Sequence, residues 1–97
     1  MVLCTKYRRQ IFNEGVFAFF KERLREMQTY YPDVYVKNIN HDVDHVHLMI
    51  IIPPKYSIGK IVGIIKANSS RKMKEKFEFL KKCYYGRDGI WSDGYMV

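Results

Sequence analysis

Ninety-seven residues set the scale of one small domain with a single hydrophobic core. Hydrophobic residues make up 47% of the chain, which excludes wholesale disorder, and 17 Lys plus Arg against 10 Asp plus Glu leave a net charge of +7. A surplus of that size on so small a surface reads either as plain solubility or as preparation for a polyanion, nucleic acid before an anionic membrane.

Val2 to Tyr7 is short and partly apolar and reads as a first strand. Asn13 is placed to cap a helix, because its side chain can accept from the free N–H groups of a first turn. Behind it Val16, Phe17, Phe20, Leu24, Met27 and Tyr31 recur at helical steps, with Lys21, Glu22, Arg23, Arg25 and Glu26 on the solvated face. Pro32 ends this helix, since the residue before a proline disfavours helical backbone. Asp33 to Ile39, rich in Val and Tyr, reads as a second strand, and Asn40 to Asp44 as a hairpin turn. His45 to Ile52 is a third strand, stopped by Pro53 and Pro54. Ser57 caps a second helix with the stripe Ile58, Ile61, Val62, Ile65, Ser69, Met73, Phe77 and Leu80. Tyr84 to Asp93 is loop-like, with Gly86 and Gly89, and Trp91 to Val97 forms a last strand. The order over residues 1–97 is β-α-β-β-α-β, an α+β pattern of the ferredoxin-like (RRM-like) kind. It implies an antiparallel sheet with both helices on one face, the first and third strands central, and the other face open.

The third strand carries the chemistry. Side chains alternate along a strand, so Val46, Leu48, Ile50 and Ile52 share one apolar face and belong under the helices. His45, His47, Met49 and Ile51 then look out from the open face. Two imidazoles so placed are either an incidental pair or ligands, since a rigid strand holds them at a spacing one metal ion can bridge. Asp42, Asp44 and His41 adjoin the pair; each either supplies a third ligand or belongs to the turn.

From Lys55 to Lys82 there are nine Lys or Arg against Glu75 and Glu78, and Lys6, Arg8 and Arg9 form a second basic cluster. These are either solvated faces or phosphate contacts, which carry affinity but no sequence information. Among eight tyrosines some are suited to stacking on unpaired bases and the rest to packing. Cys4 and Cys83 lie far apart with no C-x-x-C pair, which argues against a zinc finger and for free thiols in a reducing compartment. The run Val46 to Ile52 is too short to span a membrane, and "MVLCTKYRR" has no signal-peptide core. The expected setting is soluble and intracellular, with no membrane partner.

Four segments in order resemble one family, the single-tyrosine HUH transposases of small insertion sequences, with their REP-associated relatives. "DHVHLMIIIPP" (Asp44 to Pro54) matches its signature strand, where HUH denotes His, a bulky hydrophobic residue, His. "CTKYRRQIF" (Cys4 to Phe12) resembles its first strand and turn, "IIKANSSRKMKEKF" (Ile64 to Phe77) its second helix with a Lys-x-x-Ser-Ser-Arg segment, and "IWSDGYMV" (Ile90 to Val97) its last sheet segment. The resemblance implies that His45 and His47 hold a divalent metal, Mg or Mn, with Asp42 or Asp44 as further candidates. It places DNA contacts on Lys6, Arg8, Arg9, Lys66, Ser69, Ser70 and Arg71. It implies metal-assisted tyrosine attack on a phosphodiester of single-stranded or hairpin DNA at insertion-sequence ends, by a homodimer. In the family the attacking tyrosine lies on a further helix beyond the segment matching "GYMV", and Tyr84, Tyr85 and Tyr95 are not at its position. The expectation is therefore a C-terminally truncated HUH domain that binds DNA without forming a covalent adduct. The alternatives are a non-catalytic single-strand-binding module and a regulatory dimerisation module.

Overall fold

The computed structural model describes residues 1–84 and 89–95; Tyr85, Gly86 and the last two residues of the expected final strand lie outside them. The elements are β1 (Val2–Cys4), a 3-10 turn (Lys6–Arg8), α1 (Glu14–Tyr30), β2 (Tyr35–His41), β3 (His45–Ile51), α2 (Ile58–Lys76) and α3 (Glu78–Cys83). This is an α+β fold with a three-stranded antiparallel sheet in the order β1-β3-β2.

Both helix starts form where expected. Asn13 Oδ1 accepts from the Val16 amide at 2.9 Å, and Ser57 Oγ from the Lys60 amide at 3.0 Å, each satisfying an amide that the first turn leaves unpaired. Val16, Phe20, Leu24 and Met27 of α1 are buried, as are Ile61, Val62, Ile65 and Met73 of α2. The two helices pack on each other and on Leu3, Val46 and Leu48, the sheet residues that face them. Burial of this set supplies the main driving force for the fold.

Three boundaries differ from expectation. The first strand stops at Cys4, because Tyr7 and Arg8 adopt left-handed backbone (φ 59° and 53°) that no strand can contain. The second strand is displaced by two residues, starting at Tyr35 and continuing through His41; ahead of it Asp33 pairs with Lys55 at 2.6 Å and Val34 is buried. The second helix does not run unbroken to Leu80. It ends at Phe77 (φ −114°, ψ 111°), whose ring packs edge-on against Phe19 with centroids 5.6 Å apart, and α3 then buries Leu80.

The expected last strand is, among the described residues, a single bridge. Trp91 pairs antiparallel with Thr5, the Lys6 amide donates to the Ile90 carbonyl at 2.8 Å, and the Ser92 amide to the Cys4 carbonyl at 2.9 Å. The chain thus runs beside the free edge of β1. Pairing stops where Gly94 turns to φ 78° and Lys66 Nζ captures the carbonyls of Ser92, at 2.8 Å, and Gly94.

Candidate functional site

The register of β3 sets the site. Val46 pairs with Leu3 and Leu48 with Ile39, all turned toward the helices. His45 lies opposite Cys4, and His47 opposite Val2 on one side and Asn40 on the other, all on the helix-free face. Val46 is fully buried and Leu48 nearly so, whereas His47 is exposed and His45 half-buried. The two imidazoles lie edge to face, with ring centroids 4.8 Å apart. One-sided burial has therefore brought both imidazoles together on an open surface.

The neighbouring candidates separate. Asp44 has one oxygen, Oδ1, 2.8 Å from His45 Nδ1, while Oδ2 accepts from Arg8 Nε at 3.1 Å. These two hydrogen bonds, the His45 one first, hold its carboxyl below the usual aspartate range. Asp42 belongs to the turn: its Oδ1 accepts from the Val43 amide at 2.7 Å and its amide donates to the His45 carbonyl at 2.9 Å. His41 pairs with Val46 in the register, which turns it to the helix side, where its ring lies 4.1 Å from that of Phe17. Among the described residues no three His, Cys, Asp or Glu side chains form a metal-binding group.

The basic candidates also divide. Arg9 lies over the rings of Tyr7 and Tyr84, each centroid 5.6 Å away, and Arg8 is engaged with Asp44. Lys6 borders the same turn, its carbonyl accepting from the Tyr84 hydroxyl at 3.0 Å. That hydroxyl is buried with its ring, and desolvation raises its pKa above the ordinary tyrosine value.

Lys66, Ser69 and Ser70 are turned toward the last segment. Ser69 Oγ accepts from Trp91 Nε1 at 2.9 Å and itself donates to the Ile65 carbonyl at 2.6 Å. Ser70 Oγ accepts from the Ile90 amide at 3.0 Å, and a Cβ on Gly89 would come within 2.9 Å of that oxygen. Burial lowers the pKa of the Lys66 ammonium, which donates to Ser92 and Gly94. The Ser-Ser pair thus fastens residues 90–92 to α2. Arg71 remains exposed, on the wall of an open groove of about 660 Å³ that Lys74, Trp91 and Asp93 also line.

Met49 and Ile51 are exposed on the open face as the alternation requires, and Tyr35 joins them. All three are more than half exposed, and Tyr35 is paired with Ile51, so an apolar patch continues the sheet beyond His47. The alternation that exposes the histidines was its signal.

The family model "Transposase IS200 like" matches residues 1–97. The chain belongs to the IS200-like transposase family. It is similar to the transposases for insertion sequence element IS200 of Salmonella typhimurium and Salmonella typhi, at 32% identity over 103 residues. Those alignments cover 100% of this chain but 62% of each relative, so the chain spans under two thirds of their length. The crystal structure of a candidate transposase from Deinococcus radiodurans R1 superposes with a TM-score of 0.84 at 28% identity, covering 98% of this chain and 72% of that one. Among the described residues, no helix is long and apolar enough to cross a membrane.

Proposed function

We propose that this chain is the HUH domain of an IS200-like transposase, binding single-stranded or hairpin DNA with a divalent metal at His45 and His47. The observation that carries the proposal is the pair of imidazoles on the helix-free sheet face, in a chain matched to the family over its whole length. On this reading the segment after Ile90 takes the fourth place in a ferredoxin-like sheet, and a DNA substrate implies an intracellular setting.

The donor set fits a divalent cation: two imidazoles from one rigid strand, the first braced from behind by a carboxylate. Bound there, Mg²⁺ or Mn²⁺ supplies stabilisation of charge on a phosphate oxygen. Arg9 and Arg71 would hold the DNA backbone, together with Lys6 and Arg8 at the turn. Lys66, Ser69 and Ser70 act one step behind, keeping residues 90–94 in place. No nucleophile is assigned within residues 1–97. Tyr84 is buried with its hydroxyl on the Lys6 carbonyl, which leaves it poorly placed to attack a phosphate.

The test is a titration with a fluorescent hairpin oligonucleotide at several salt concentrations. Affinity should fall linearly with log salt, and Arg71→Ala should reduce the slope by about 0.7, the share of one phosphate on a single strand. The complex should dissociate fully in denaturant. Salt-independent binding would count against the proposal, while a covalent adduct mapped to a tyrosine of this chain would overturn the expectation that the nucleophile lies outside residues 1–97.

A second reading, a regulatory or dimerising module, is favoured by the exposed Tyr35, Met49 and Ile51 patch. Such a patch is costly to leave in water and suits a second copy of the sheet. Sedimentation equilibrium should then show a homodimer that Met49→Lys dissociates. A wild-type monomer at every concentration would remove this reading and the dimer with it.

A further inference from the structure

We propose that Asp44, steadied by Arg8, is a positioning residue that fixes the tautomer and ring orientation of His45. The inference rests on the metal reading for its purpose but not for its geometry. An ionised carboxylate has only acceptors to offer, so the 2.8 Å contact between Asp44 Oδ1 and His45 Nδ1 places the imidazole hydrogen on Nδ1. In the neutral ring the lone pair is then on Nε2, the nitrogen left for a ligand.

Three local features hold the carboxylate in place. The Asp44 backbone carbonyl accepts from the Thr5 amide at 2.9 Å, and the Thr5 hydroxyl lies 3.1 Å from the same oxygen. Thr5 is fully buried, so this anchor belongs to the core. On the far side Arg8 Nε reaches Oδ2 at 3.1 Å, delivered by the left-handed backbone of Tyr7 and Arg8. Two consecutive non-glycine residues in that region are uncommon and persist where surrounding structure compensates the strain. With both oxygens engaged, Asp44 is a brace behind His45 rather than a third ligand in front of it. Among the described residues no carboxylate braces His47 in this way, so the two histidines are held unequally.

The tautomer is read directly by long-range ¹H–¹⁵N correlation spectra of the metal-free protein. His45 should carry its hydrogen on Nδ1, and Asp44→Asn should release it to a mixture while the His47 signals stay where they were. Mn²⁺ affinity should fall about 10- to 100-fold in the same variant, the usual cost of losing an outer partner of a ligating histidine. Arg8→Ala should shift both readouts in the same direction by a smaller amount. If Asp44→Asn does not fold, the wild-type tautomer and Arg8→Ala decide the question. Hydrogen on Nε2 of His45 in the wild type, or an Asp44→Asn protein unchanged in both readouts, would overturn the proposal. A fixed Nδ1–H tautomer in a protein that binds no Mn²⁺ supports the positioning role and counts against the metal reading alone.

Discussion

Trp91→Ala is expected to destabilise the domain by about 3–5 kcal/mol, the usual cost of truncating a large buried aromatic. Trp91 is 6% exposed and packs against Phe12 and Phe20, with ring centroids 5.6 and 5.4 Å away. Removing the indole leaves a cavity and also takes the Nε1–H donor from buried Ser69. A domain of this size has roughly 5–15 kcal/mol in total, so a loss at the upper end brings the weakest plausible case close to unfolding. The consequence reaches the open face, because Trp91 bridges to Thr5, directly after Cys4, the strand partner of His45. Trp91→Phe keeps most of the packing, and since Ser69 still donates to Ile65, it should cost about 1–2 kcal/mol less than the alanine variant. Urea melts of the three proteins measure this. A loss below about 1 kcal/mol for Trp91→Ala would show that residues 90–92 are not anchored through the indole.

What sequence could and could not reveal follows from how local each cause is. The alternation in β3 was legible because burial is one-sided and strand periodicity is two, so Val46 and Leu48 announce where His45 and His47 must point. The caps at Asn13 and Ser57 were legible for the same reason: each acts within three residues of itself. The break at Phe77 was not, since its apolar stripe continues in step with neither glycine nor proline to mark an end. Its cause is a ring on another helix, Phe19. Ser69 is instructive, because it sits in the apolar stripe of α2 between Ile65 and Met73 and is buried there. Family resemblance pointed the Ser-Ser pair at DNA, while its place in the stripe already pointed inward. The Arg8–Asp44 contact, 36 residues apart in the chain, depends on a left-handed turn at two non-glycine residues and left no local trace.

His45→Ala and His47→Ala should each abolish measurable Mn²⁺ binding, lowering affinity by about 100-fold or more, since even an outer partner of a ligating histidine is worth 10- to 100-fold. Each removes one of the two imidazoles, and a single imidazole on an open sheet face is a weak ligand. The fold should survive both changes. His47 is exposed, so its loss should shift stability by no more than about 0.5 kcal/mol. His45 also surrenders its contact with the half-buried Asp44, but that carboxylate keeps the exposed Arg8 as a partner, so the cost should stay at about 1 kcal/mol. Oligonucleotide affinity divides the same way. The part carried by basic side chains should persist in chelator, equal in wild type and variants. The increment gained on adding Mn²⁺ should appear in the wild type alone. Metal binding by calorimetry or electron paramagnetic resonance, beside a salt titration with and without chelator, separates the two contributions. Wild-type Mn²⁺ affinity in either variant would show that the imidazoles share a face without sharing an ion, leaving charge and stacking as the basis of any DNA affinity.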